Sequence, residues 1–369
     1  MAGILNFKEE SDAKTGEQTI MKPILGITMG DICGIGPEIT VKALLHKETY
    51  AMCRPVVIGS AKAVCRALQA IRRDADIHMV EDIQEAVFAC GTIDVWDIPA
   101  GDPLPPYGQE TAQGGKAAYE AIEAAIRLAM AGKIDAVITG PLNKAALHLA
   151  GYPYSGHTEI FAEQTGTKKY AMMLADGNLR VVHVSTHVSL REACDRVKKD
   201  RVLETITLAQ NACRSLGIER PRIAVAGLNP HCGEGGLFGR EEIEEISPAI
   251  AAAREKGWDV TGPVPPDTVF SKARGGMFDI VVAMYHDQGH IPLKLAGFSY
   301  NEEKKSFTSV SGVNITLGLP IIRASVDHGT GFDLAGRGAA SEESLQNAME
   351  YGVRLANTRK SAAQEDGAC

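Results

Sequence analysis

What this chain has little of narrows its chemistry first. It has no CxxC pair and no close-set cysteine framework. Its eight cysteines, Cys33, Cys53, Cys65, Cys90, Cys194, Cys213, Cys232 and Cys369, are scattered along 369 residues. That scatter excludes a disulfide-stapled secreted scaffold and suits reduced thiols in the cytoplasm. No apolar run reaches the roughly 18 residues of a membrane span, so no membrane partner is expected. Residues 1–20 carry Lys8, Glu9, Glu10, Asp12 and Lys14 and lack the apolar core of a signal peptide. A basic excess is missing too: 38 Lys and Arg face 46 Asp and Glu, for a net charge of -8. This argues against nucleic acid as a partner, and an anionic ligand must be met by a local cluster of cations. There is no internal repeat and no low-complexity tract.

What is present is the make-up of a globular protein, 45% hydrophobic and 23% charged, long enough for one large or two ordinary domains. Short Val- and Ile-rich runs recur at 24–28, 55–58, 136–139, 181–184, 223–226 and 280–283, with helical spacings between several of them. The alternation predicts an α/β fold with a largely parallel sheet covered on both faces. Helices are expected at 111–131 and 201–216. In the second, Val202, Ile206, Ala209, Cys213 and Leu216 form one apolar face, which reads as core packing. Residues 299–311 (SYNEEKKSFTSVS) read as an exposed loop, residues 1–21 as a mobile leader with Met21 an alternative start, and the tail from Ser361 should fray.

Function is expected where strands end in polar, Gly-rich turns, because ligands of open α/β sheets bind beyond strand carboxyl ends. The first such turn, Thr28 to Glu38, leads into a helix with Pro37 near its start, but it is not a G-x-G-x-x-G fingerprint. Three histidines stand in similar settings: His187 in STH, His231 in NPHCGEGG and His286 in MYHDQGH. His46, His78 and His148 have no context beyond that of ordinary surface or core residues. His183 and His187 lie in a β-branched run, where four strand residues span about 13 Å, too far for one ion unless the chain turns. His183 therefore reads as structural. His286 and His290 have helical spacing, but Gly289 and Pro292 speak against a regular helix. A metal site assembled from His187, His231 and His286, one from each of three strand ends, is the more economical reading.

The motifs GDICGIGPE, GPLNK (140–144), SGHTE (155–159), GLNPHCGEGG, PPDTVF, AMYHDQGH, VNITLGLPIIR and SVDHGTGFDLAGRG resemble, in consistent order from about Lys22 to Tyr351, the 4-hydroxythreonine-4-phosphate dehydrogenase family. The stretch from Met172 to Ala193 looks closest to its branch acting on 4-phospho-D-threonate and 4-phospho-D-erythronate. The resemblance implies one divalent metal held by His187, His231 and His286, with one histidine reaching it from a partner subunit, hence a homodimer with a shared active site. It implies substrate contacts at His157, Thr158, Lys294, Asn314 and Arg323. It further implies two α/β/α domains with a cleft between them, similar to isocitrate and isopropylmalate dehydrogenases. The run His328 to Gly338 resembles their nucleotide-binding loop and places NAD near Gly329, Thr330 and Asp333. On this basis residues 22–140 with 276–369 are expected to form the nucleotide-binding domain, and 141–275 a second domain with metal ligands and dimer contacts. Two departures stand out: Ile32 and Cys33 replace a usual Pro-Ala pair, and the spacing from Lys294 to Asn314 is longer than usual.

The implied reaction is NAD-linked oxidation of a secondary alcohol on a small phosphorylated four-carbon hydroxy acid, with decarboxylation of the product. The substrate is expected to be of 4-phosphohydroxy-L-threonine type, with 4-phospho-D-threonate or 4-phospho-D-erythronate as the alternative. A divalent cation on the hydroxyl makes it more acidic, which suits hydride loss. Zn, Mn, Co, Ni and Mg all remain open, although three imidazoles disfavour Mg. Arg323 offers a fork for phosphate and Lys294 a point charge; outside this context Arg323 reads as a surface ion pair and Asn314 as a turn residue. Asp267 and Asp287 can orient a histidine or move a proton, and Lys144 can be catalytic or pair with an acid. A phosphate acyltransferase-like transferase is the competing class, since related folds serve both activities. A metabolite-binding protein without turnover is a third.

Overall fold

The computed structural model describes residues 22–302 and 306–366, so the expected leader at 1–21 lies outside the described residues. The strands are β1 (Ile24–Thr28), β2 (Arg54–Gly59), β3 (Asp76–Met79), β4 (Thr92–Asp97), β5 (Ala136–Thr139), β6 (Ala171–Asp176) and β7 (Leu179–His183). They continue as β8 (Ile223–Ala226), β9 (Val260–Val264), β10 (Ile280–Ala283), β11 (Phe298–Asn301), β12 (Ser306–Val310), β13 (Val313–Leu317) and β14 (Arg323–Val326). Twelve of them join one sheet in the order β3-β4-β2-β1-β5-β14-β13-β6-β7-β10-β8-β9. Every residue of β5, β8 and β10 is buried, as strands covered by helices on both faces require. This is the α/β architecture expected from the alternating apolar runs.

Antiparallel pairing is confined to the middle, where β13 pairs with β14 and β6, and β6 with β7. All other neighbours in the large sheet are parallel. Three reversals in a row leave the two outer halves running in opposite senses, with an antiparallel seam between them. One expectation shifts here. The strand at 280–283, grouped by sequence with the first domain, pairs with β7 and β8 in the other half of the sheet.

Three further segments differ from their sequence reading. The stretch 299–311 lies mostly in an antiparallel hairpin of β11 and β12 rather than a loop; its alternation of polar and apolar residues is short and was masked by charge. The C-terminal helix Glu343–Asp366 continues past Ser361, carried by a face packed on β14 and β5. The strand read at 181–184 ends at His183, so the chain leaves the sheet before His187.

Local chemistry sets the pieces that frame the site. Thr111 caps the helix Ala112–Met130 by accepting from Gly114 N at 3.0 Å. On that helix, Gly115 lies so close to the Ala146 carbonyl that any Cβ would overlap it, which seats the helix Lys144–Leu149. The expected face of helix Lys199–Ser215 is buried, and Val202, Ile206, Ala209 and Cys213 join the main core. All described cysteines are free, and no helix among the described residues is long and apolar enough to cross a membrane.

Candidate active site

A cleft of about 340 Å³ opens between the antiparallel seam and the helix His286–Gly297. Its walls come from the chain leaving β5 (Gly140 to Lys144), β7 (His187), β10 (His286) and β14 (Asp327 to Gly329), and from Asn314 and Arg323 on the seam.

One end of the cleft is built around Arg323, which is 2% exposed. Its guanidinium donates to Thr316 Oγ1 and Thr139 Oγ1, both at 2.9 Å, so its hydrogen bonds go to hydroxyls rather than a carboxylate. Burial pushes its pKa down to about 9, with the charge of Glu159 opposing. A buried cation held only by neutral groups is costly until an anion reaches it. His157 begins the helix His157–Gln164 beside it. Burial, and then the charge of Arg323, hold the His157 pKa well below the usual imidazole range, so its ring is neutral. Asn314 spends its amide on Met172 Sδ at 2.9 Å. Lys294 lies 3.3 Å from Asp327 Oδ2, and Thr158 lines the same wall.

Five of the buried polar side-chain atoms without a protein partner lie along this cleft. Arg323 Nε, Asn314 Oδ1, His157 Nε2, Glu159 Oε2 and His328 Nε2 are all of this kind, and all five side chains line the cleft. Buried donors and acceptors are normally satisfied, so five together mark a surface shaped for a polar ligand.

The other end is imidazole. His187 and His286 face each other with ring centroids 6.0 Å apart. His187 Nδ1 is 4.0 Å from Glu159 Oε1; burial first, then the charge of Lys144, lowers its pKa. His286 Nδ1 donates to Asp287 Oδ1 at 2.6 Å, which leaves Nε2 as the nitrogen for a ligand. The doubt cast by Gly289 and Pro292 is overturned, because His286–Gly297 is a helix with Pro292 inside it. Gln288 secures its start: its side chain accepts from Met284 N at 2.7 Å and donates to the Gly227 carbonyl at 2.8 Å. His286, His290 and Lys294 thus share one helix face, and all three line the cleft. His183 is buried at the end of β7, where its pKa is pushed down to about 3 mainly by burial.

His231 is placed differently. It is exposed in the turn Pro230–Gly236, where five consecutive residues, His231 to Gly235, have φ between 45° and 77°. Three of the five are not glycine, and such left-handed backbone is strained unless the surroundings enforce it. Glu242 anchors the segment just before it, its carboxylate accepting from Leu228 N at 2.8 Å, Asn229 N at 2.7 Å and Asn229 Nδ2 at 2.9 Å. The turn follows β8, one strand further out than β10, so His231 is not among the residues of the cleft. Among the described residues, no group of three or more His, Cys, Asp and Glu side chains converges as a metal site. One chain therefore brings together His187 and His286 and leaves His231 apart.

The remaining expectations divide in the same way. Lys144 lines the cleft. Asp287 is an exposed partner of His286, and Asp267 is exposed on the helix Pro266–Arg274, near enough to Cys232 for its charge to act there. Gly329 lines the cleft with nothing within 4 Å of where a Cβ would stand, while Asp333 is exposed. The Thr330 carbonyl accepts from Ile35 N at 2.9 Å, and a Cβ on Gly34 would lie 2.6 Å from that carbonyl oxygen, so the two Gly-rich turns nest. Sequence reasoning missed Glu159, His290 and His328 as cleft residues. Glu159 and His328 stood inside quoted motifs, and the i, i+4 spacing of His290 from His286 was the available signal.

Fold and cleft define an α/β enzyme for a small anionic ligand. The family model described as pyridoxal phosphate biosynthetic protein PdxA matches residues 51–352. A D-threonate 4-phosphate dehydrogenase of Cupriavidus necator is 47% identical over 338 residues, covering 91% of this chain and 98% of the relative. A 4-hydroxythreonine-4-phosphate dehydrogenase of Beijerinckia indica is 47% identical over 331 residues, covering 90% and 94%. The crystal structure of 4-hydroxythreonine-4-phosphate dehydrogenase from Klebsiella pneumoniae superposes with a TM-score of 0.79 at 46% identity, covering 91% of this chain and all of that one. The chain belongs to the PdxA family and is a dehydrogenase, which implies a nicotinamide cofactor.

Proposed function

We propose that the protein oxidises a 4-phosphorylated four-carbon 2,3-dihydroxy acid of the 4-phospho-D-threonate type, with NAD as hydride acceptor. The observation that carries this reading is the set of five unpartnered buried atoms, Arg323 Nε among them, on side chains that line the cleft. They suit a ligand with oxyanions and hydroxyls. Arg323 and Lys294 take the phosphate and carboxylate charge, and Asn314, Thr158 and neutral His157 fix their direction. The cleft holds three cations, Lys144, Lys294 and Arg323, against the carboxylates Glu159 and Asp327, the latter tied to Lys294. That balance favours an all-oxygen acid over one with an ammonium at C2. The relative in Cupriavidus necator carries the first substrate in its name, and the one in Beijerinckia indica carries the second, 4-phosphohydroxythreonine.

His187 and His286 of one chain, completed by His231 of a second copy, would hold a divalent metal (Zn, Mn, Co, Ni or, less suited to imidazoles, Mg). Their fit rests on the 6.0 Å approach of the two rings and on Asp287, which directs His286 Nε2 outward. When bound, such an ion supplies Lewis acidity toward the substrate hydroxyl and the ketone it becomes. The chain's own groups do the rest. Lys144, alone of the three acid–base candidates in lining the cleft, exchanges the hydroxyl proton; Asp287 orients its histidine; Asp267 stays with the turn of His231. NAD would lie along Gly329, Thr330 and Asp333, where the nested turns leave Gly329 uncovered, and would supply the hydride acceptor for C3. The product is a β-keto acid, whose loss of carbon dioxide leaves a phosphorylated three-carbon hydroxyketone. Sharing of the site makes a homodimer the active form, and free cysteines suit the cytoplasm.

Steady-state NADH formation on 4-phospho-D-threonate, 4-phospho-D-erythronate and 4-phosphohydroxy-L-threonine tests the reading. The highest kcat/KM is expected on one of the first two, with activity lost to a chelator and restored by divalent metal. A clear preference for the amino acid would replace the substrate, and no NADH from any of them would refute the function.

A further inference from the structure

His290 sits between two groups that already have work to do. It lies four residues beyond His286 and four before Lys294, about 6 Å along the helix from each. Its ring stacks on His286 with centroids 3.6 Å apart and planes 11° from parallel. Behind it, buried His183 meets the same ring at 4.7 Å. The helix can come this close to β7 only because residue 289 is glycine: a Cβ there would overlap His183 Nε2 and lie 2.6 Å from Val181 Cγ1.

The hydrogen bonding of His290 fixes which nitrogen does what. Its Nδ1 lies 3.0 Å from the His286 carbonyl oxygen, which only accepts, so Nδ1 carries the ring proton. Nε2 then holds a lone pair, and no protein hydrogen bond among the described residues uses it. Since the residue lines the cleft, Nε2 is an acceptor available to a ligand lying between His286 and Lys294. A ring serving only as packing would need neither the fixed tautomer nor the free nitrogen.

We propose that His290 Nε2 accepts a hydrogen bond from the substrate hydroxyl that is not oxidised, the one at C2, and so selects 2-hydroxy acids. The inference rests on the substrate reading given above: with C3 near His286, the C1 carboxylate near Lys294 and the phosphate toward Arg323, the C2 hydroxyl falls beside the intervening side chain.

The test compares 4-phospho-D-threonate with its 2-deoxy analogue on wild type, His290→Leu and His290→Gln, by kcat/KM and by equilibrium binding without NAD. Wild type should favour the hydroxylated acid by about ten- to a hundredfold, as one well-placed hydrogen bond in a closed site allows. His290→Leu should bring the ratio to within about threefold of unity, and His290→Gln, whose amide oxygen accepts, should recover part of it. Equal losses on both acids in both variants would reduce His290 to packing and overturn the proposal. So would a wild type indifferent to the hydroxyl, a result that needs no folded variant. Wild type inactive on the hydroxylated acid would instead strike the substrate reading, and the hydroxyl contact would fall with it.

Discussion

The two ends of the cleft are finished to different degrees. Around Arg323 one chain supplies everything: a buried guanidinium, two hydroxyls that aim it, and a helix start beside it. At the imidazole end the chain brings two histidines to 6.0 Å and puts the third on an exposed, left-handed turn. Under the proposed function, charge recognition would be a property of the protomer, whereas the metal centre would need His231 from a second copy to be complete. The exposed apolar side chains next to that turn, Leu237 and Phe238, suit a surface that is covered by another molecule.

The contrast can be broken most forcefully at the imidazole end. His286→Ala and His231→Ala should each lower kcat by about 10³-fold or more while far-UV circular dichroism stays unchanged, since neither side chain fills the core. Mixing the two inactive variants after dissociation should restore about a quarter of wild-type activity, because in a two-fold dimer each mixed pair keeps one intact site. If mixing restores nothing, the shared site is wrong.

A smaller effect should appear as a pH-dependent loss of stability from the same end. His183 has a folded pKa of about 3 against 6.5 for an exposed imidazole. Below pH 6.5 the unfolded chain takes up a proton that the folded chain refuses, so stability falls with falling pH. The contribution is about 3 kcal/mol by pH 4. Thermal melts from pH 7 to 4 check this, and His183→Phe should flatten the slope. Gly289→Ala should then cost about 2 kcal/mol, because the added methyl strikes His183 and Val181, and denaturant titration reads it directly. Smallest is the change at the finished end. Arg323→Lys should raise KM about tenfold with kcat nearly kept, as a point charge replaces a fork held by Thr139 and Thr316. An unchanged KM would remove Arg323 from substrate binding.

Much of this arrangement could be read from the sequence wherever one local pattern has one outcome. The runs that became β1, β5, β8 and β10 were located to the residue, since parallel strands buried over all or nearly all their length leave a continuous apolar signature. The helix at His286 was not, because its Gly and Pro argue locally against a helix, while Gln288 and buried His183, distant in sequence or effect, decide the matter. The antiparallel seam was equally hidden: β6 and β13 are buried on both faces and carry no mark of their direction. The cleft's residues were reached through motifs, and their spacing was silent on which of them one chain can gather. His231 shows why. Five left-handed residues, following a segment that Glu242 anchors, leave no periodic trace.

The seam has a further bearing on motion. Five registered pairs, Val313 with Ala175 through Leu317 with Ala171, bind the two halves of the molecule into one unbroken ribbon beneath the cleft. Among the described residues the large sheet runs without a break from one half to the other. Any widening that admits a substrate must therefore bend or twist these strands, so the cleft breathes like a flexed spring rather than swinging like a door.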